Sequence, residues 1–196
     1  LMSNPTATRR PVAIGVMVAS AALSIVVRLI PYTMRPPNFA ANGSLGLFGG
    51  ARVPLWLSAP LQFAALVISD LLLWKLSGWS PFNPAVYLCF GVYLLLGRAL
   101  LKDTRSPSRV ALVSLIGSAQ FFLVTNFFAW YGDGTMATPL YEASFTGLLT
   151  CYTAALPFLV YTVAGELGFS AVLFGAEAWL LSLVEETKQV TAEVAS

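Results

Sequence analysis

Apolar stretches separated by short polar breaks recur along the chain, and most are as long as a membrane-crossing helix. The first covers about 11–30, behind Arg9 and Arg10. Some twenty residues at about 1.5 Å each reach about 30 Å, the thickness of a bilayer's hydrocarbon core. Pro31, Pro36 and Pro37 then stop any helix. A short, Gly-rich stretch follows at about 38–50 (NFAANGSLGLFGG). It reads either as a thin or broken spanning helix or as a re-entrant turn. Further spans are predicted over about 53–76, 85–101 and 109–130, punctuated by SGWSPFNP, KDTRSPSR and YGDGTMATP. The last apolar stretch, 140–184, is too long for one crossing. Pro157 divides it, which predicts a short helix (EASFTGLLTCYTAALPF) on or dipping into the outer face, then a sixth span over about 160–183. No internal repeat is visible.

The expectation is therefore an all-α integral membrane protein. A six-helix transmembrane bundle occupies 11–184, between cytoplasmic tails at 1–10 and 185–196. Composition agrees: the chain is 57% hydrophobic and 10% charged, with mean hydropathy +0.75. An ordinary soluble domain carries about 25% charged residues. The first apolar stretch is too long for a cleavable signal peptide and lacks an A-x-A-like end. Leu1 before Met2 reads as a remnant of processing.

Charge placement supports six crossings. With the N-terminus inside and the Gly-rich segment crossing, the inner side carries Arg9, Arg10, Arg52, Arg98, Lys102, Arg105, Arg109 and Lys188. The outer side or outer half holds Arg28, Arg35 and Lys75. That asymmetry is the one the positive-inside rule describes. Without that crossing, the KDTRSPSR loop would lie outside.

Several function classes are excluded or disfavoured. The basic residues form no run, so nucleic acid is not an expected partner. The chain has no His, which removes the commonest metal ligand and general base. HExxH, GxSxG, paired acids on a helix face and a phosphate-binding loop are all missing, so no enzyme is expected. Any ATP energy would come from a partner chain.

Polar groups inside spans are costly and tend to be functional or paired. Here they fall at similar expected depth in the outer half: Arg28, Asn38, Phe39, Asp70, Tyr87, Cys89, Asn126, Trp130, Tyr152 and Glu166. Such a layer suits a ligand pocket opening outward. The plainer alternative is packing: Arg28 pairs with Asp70 or Glu166, and Asn126 caps a carbonyl. Glu177 lies off the layer and reads as a local or partner contact. Cys89 has three readings: a small buried hydrophobe, a soft thiolate ligand for a metal-bearing cofactor, or one half of a disulfide with Cys151. In the first segment, Gly15, Ala19 and Ala22 form a small-residue face for an internal contact or a partner.

Two resemblances follow. RLIPYTMRPPNFAANGSLGLFGGA, ISDLLL, VYLCFGVYLLLGR, SLIGSAQFFLVTNFFAW and GLLTCYTAALPF, over about 28–175, together resemble a family of uncharacterised bacterial membrane proteins. That family brings no activity. Separately, YTAALPFLVYTVAGEL is similar to the pattern before the last helix of S components, the substrate-binding subunits of energy-coupling factor vitamin transporters. The matching positions are Pro157, Phe158, Gly165 and Glu166.

This second resemblance implies a six-helix bundle of the bacterial inner membrane with both termini cytoplasmic. It also implies a vitamin bound at the outer face, and docking of the first helix, here through Gly15 and Ala19, onto a transmembrane coupling subunit with ATPases. The basic residue that commonly follows the glycine–acid pair is absent. Some solitary S-component-like proteins take up cobalamin with a cysteine as cobalt ligand, and Cys89 resembles that arrangement. The expected function is thus uptake of a vitamin, with a corrinoid such as cobalamin as ligand and no required cofactor. The alternative is a non-catalytic accessory subunit of a larger membrane complex.

Overall fold

The computed structural model describes residues 5–194 apart from Tyr32, Arg35, Pro37, Trp79, Ser80, Thr135 and Ala137. The described residues form six helices and no strand: α1 (Pro5–Leu29), α2 (Asn42–Arg52), α3 (Leu55–Ser77), α4 (Pro84–Leu100), α5 (Pro107–Asp133) and α6 (Phe145–Val194). Local chemistry sets several boundaries. The Asn83 side chain accepts from the Ala85 N–H before Pro84 opens α4, and Ser106 accepts from the Arg109 N–H before Pro107 opens α5. Gly78, at φ 72°, ends α3 in the left-handed conformation that suits glycine.

Four helices, α1, α3, α5 and α6, are long and apolar enough to cross a bilayer, and α4 is a shorter apolar helix. Their outer faces expose Val67, Ile68, Leu71, Leu115, Ile116 and Leu123, side chains that water would not tolerate in such number. The protein is a multi-pass membrane protein.

The helices alternate in direction between two ends, each marked by polar contacts. At one end Arg28 of α1 meets Asp70 of α3, which meets Tyr87 of α4. At the other, Arg9 of α1 and Arg52 of α2 both reach Glu177 of α6, and Lys188 donates to Thr8. The Gly-rich segment is therefore a crossing helix, but a protein-sheathed one. Eleven residues give about 16 Å. Residues Asn42 to Ala51 are all buried, and α2 touches each of the other five helices.

Glycine makes this closeness possible. A Cβ on Gly50 would overlap the Leu94 carbonyl and the Arg98 amide of α4, and one on Gly97 would overlap the Leu47 carbonyl of α2. The backbones of α2 and α4 touch directly, as small residues spaced by four allow between membrane helices.

Arg52 closes the far end of α2. Its Nε donates to Glu177 at 2.6 Å, Nη1 to the carbonyls of Leu101 and Lys102, and Nη2 to that of Thr104. Its guanidinium also lies 4.9 Å from the centre of the Phe174 ring. One side chain thus holds α2, the C-terminal end of α4 and α6 together. Glu177, expected as a local or partner contact off the polar layer, has this intramolecular role.

The last apolar stretch differs from expectation. Pro157 does not divide it, and no separate short helix precedes the last span: α6 runs unbroken for 50 residues, about 75 Å. A proline removes one N–H from the ladder, but within lipid a broken helix would expose several backbone groups at greater cost. The helix also continues into what was read as the C-terminal tail, and α1 begins within the N-terminal one.

Two outcomes test this packing. Gly50→Ala is expected to destabilise the detergent-purified protein by at least about 1–3 kcal/mol, because the clash is with backbone. Gly15→Ala, with open space around the added methyl, should be neutral or stabilising by up to about 1 kcal/mol. Glu177→Leu strands the buried Arg52 cation and is expected to cost about 3–5 kcal/mol. Thermal unfolding of the three variants measures both, and a Gly50→Ala midpoint matching Gly15→Ala would contradict the α2–α4 contact.

Candidate functional site

The site is built around the N-terminus of α2. A helix start carries backbone N–H groups without intrahelical partners, and no side chain of α2 caps this one. Glu166 of α6 does so instead. Its carboxylate accepts from the Gly43 and Ser44 N–H groups and, at 2.8 Å, from the Ser44 hydroxyl. Glu166 is only 4% exposed, and the partial positive charge of the helix start compensates it there. Glycine at 43 leaves room for this contact, since a Cβ would displace the carboxylate.

Above Glu166 lies a cavity of about 300 Å³. Asn42 and Glu166 line its lower part, Phe90, Tyr93 and Phe121 its walls. Arg28, Asn38 and Asn83 contribute from the end of the bundle. Gln62 donates to the Asn42 carbonyl, and Asp70 lies eight residues further along the same helix. At about 1.5 Å per residue, the Arg28–Asp70 pair is about 12 Å above the Asn42 level. Asn38 and Ala40, on the irregular backbone just before α2, lie on the cavity wall. Non-helical backbone is tolerated inside a membrane protein where it lines such a space. Asn38, at φ 58°, is the one non-glycine among the described residues in the left-handed region, which Asn tolerates better than most.

One oxygen on a residue of this wall is unmatched. Asn42 is 3% exposed, and among the described residues its Oδ1 has no hydrogen-bond partner; the fully buried Tyr93 hydroxyl stands against Ser118 of α5. A buried acceptor left without a donor costs about 1–3 kcal/mol.

The polar layer expected from sequence splits into three groups. Arg28, Asn38 and Glu166 do share the cavity. Asp70 and Tyr87 stand behind Arg28: Asp70 accepts from Arg28 at 2.5 Å and from the Tyr87 hydroxyl at 2.7 Å, and Ser69 accepts from Arg28 at 2.6 Å. They hold the arginine in place. Phe39 packs its ring 5.3 Å from that of Phe169, outside the cavity lining.

The remaining candidates lie outside this cavity's lining. Asn126 donates to the Phe122 carbonyl on its own helix, Trp130 to the Glu142 carbonyl, and Tyr152 to the Leu123 carbonyl. Trp130 and Tyr152 thereby fasten α5 to the following loop and to α6, while the Asn126 side chain serves its own helix. Helices of unequal length put equal fractions of a span at unequal depths, so the α5–α6 pair carries these residues away from the cavity. Cys89 is fully buried and also outside the lining; its carbonyl accepts from Gln120 of α5. No disulfide joins it to Cys151. Among the described residues no group of three or more His, Cys, Asp or Glu is placed to hold a metal.

Sequence reasoning missed Asn42, Tyr93 and Asn83. Asn42 sits in a segment that drew attention for its glycines, and Tyr93 in a run of aromatics with the look of core. The signal that would have found Asn42 is its position at a helix start, opposite an acid on another span.

No curated protein and no solved structure matches this chain. The sequence profile of a family of unknown function (DUF6580) matches residues 6–190, nearly the whole chain, and the protein belongs to that family.

Proposed function

We propose that this protein is a membrane-embedded binding protein that captures a small solute in the cavity above Glu166. The observation that carries the reading is the buried, unmatched Asn42 Oδ1 in a cavity that the Glu166 carboxylate also lines. A ligand presenting an N–H or O–H donor to Asn42 Oδ1, against the packed rings of Phe90 and Phe121, would supply what the protein lacks. The resemblance to vitamin-binding S components supports the same site, because Glu166 of the shared glycine–acid pair lies in the cavity wall.

The volume favours a ligand of one or two rings. Ligand pockets run from about 300 to 1,000 Å³, and this cavity is at the lower limit. It equals about ten waters at about 30 Å³ each, far less than a corrinoid needs. Together with the position of Cys89 outside the lining, this turns the proposal from cobalamin to a smaller molecule, with no cobalt bound through Cys89.

Charge supports an orientation. Arg9, Arg52, Lys102, Arg105 and Lys188 belong to one end, Arg28 and Lys75 to the other, and Arg35 lies outside the described residues. By the positive-inside rule this supports cytoplasmic termini and a cavity toward the outer side, in the bacterial inner membrane that the S-component resemblance implies. Gly15 and Ala19 are exposed on α1. This suits docking onto a coupling transmembrane subunit with ATPases, or onto neighbours in a larger complex if the chain is an accessory subunit.

Asn42→Leu separates ligand capture from mere architecture. It keeps the backbone carbonyl that Gln62 uses and removes an unmatched acceptor, so the unfolding midpoint is expected to hold or rise. Native mass spectrometry of protein extracted in mild detergent should show a retained molecule of a few hundred daltons on the wild type and none on the variant. Identical spectra for the two proteins, or a retained corrinoid, would contradict the proposal.

A further inference from the structure

A second cavity lies at the opposite end, about 430 Å³ between α5 and α6 beside the Arg9–Glu177–Arg52 cluster. Its walls are apolar and small: Val110 and Ala111 on α5, Ala171, Phe174, Gly175 and Ala178 on α6. Ala171, Gly175 and Ala178 are exposed on the outer surface of α6, within the stretch apolar enough to cross a membrane. The cavity therefore opens sideways, where acyl chains would surround the protein.

The charges at its polar end are unevenly used. Arg52 spends its donors on Glu177 and three carbonyls. Arg9 engages Glu177 through Nε at 2.9 Å, while its two terminal nitrogens make no hydrogen bond among the described residues. Arg105 is exposed and likewise makes none. Against these three cations stand Glu177, already doubly paired, and the exposed Glu185. Two guanidinium forks with spare donors thus stand at the mouth of an apolar cleft. A guanidinium fork matches the oxygens of a phosphate, and an apolar cleft below it matches a hydrocarbon chain.

We propose that this cleft binds an anionic phospholipid, with the headgroup phosphate on Arg9 and Arg105 and one acyl chain along Ala171, Gly175 and Ala178. Basic pockets between membrane helices are suited to anionic headgroups. Nothing in this site touches the cavity above Glu166, so the two stand or fall separately.

Native mass spectrometry of the whole protein, titrated with phosphatidylglycerol or phosphatidylcholine of equal chain length, tests the site. Phosphatidylglycerol should be retained at least about tenfold more tightly, and Arg105→Gln should remove most of that preference. Arg105 makes no internal contact, so the variant keeps the fold. Arg98→Gln, an exposed cation of the same end outside the cleft, should leave the preference unchanged. Ala171→Phe should displace the lipid by filling its chain path. Equal retention of the two lipids would overturn the proposal, as would an equal loss in Arg98→Gln or competition by millimolar inorganic phosphate that Ala171→Phe does not alter. That last result would mean the cleft holds phosphate without a chain.

Discussion

A helix buried on every side has nowhere to leave its ends. The first N–H groups and last carbonyls of α2 reach neither water nor lipid headgroups, and in a bilayer each unmatched group costs several kcal/mol. Two acids on α6 stand at these ends, the first matching the N–H groups and the second anchoring the last side chain of α2. Glu166 takes the N–H groups at one end, and Glu177 holds Arg52 at the other. They are eleven residues apart, three helical turns or about 16 Å, which is also the length of α2. The rest of the bundle is arranged around this match. The glycines at 46, 50 and 97 let α4 come close enough to cover α2, and α1 and α3 close over its other face.

The same arrangement makes the cavity. Because α2 is only half the length of a span, the chain must descend from the end of α1 to reach it, and the space left above its start is not filled by helix. Glu166 thus has two roles in one place. It completes the helix start, and it gives the space above a polar base. The Arg28–Asp70–Tyr87 chain of bonds holds α1, α3 and α4 at the open end, so that the space keeps its shape.

Much of the architecture was legible in the residues. Six apolar segments, their proline and glycine punctuation and their charge asymmetry specify an alternating bundle, because lipid enforces hydrophobicity over a fixed length. Arg28 was legible as a cation needing an acid, and Asp70 was one of its two named candidates. Pro157 misled, since a proline that ends a helix in water is tolerated where lipid penalises open backbone. The depth of individual side chains was not legible: Asn126 and Trp130 are near the end of a 27-residue helix, so a position near the end of α5 does not match one near the end of α1. Asn42 was hidden because its importance comes from the helix start it sits on, and from an acid more than 120 residues away.

The central claim is that the space above α2 is a site for a ligand and not a packing fault. A density map of the protein in nanodiscs made directly from its native membrane tests this. The account expects compact, ring-sized density within hydrogen-bonding distance of Asn42 Oδ1 and the Glu166 carboxylate. A map in which Phe90 and Phe121 have closed over the space, or in which isolated waters alone satisfy Asn42, would contradict it.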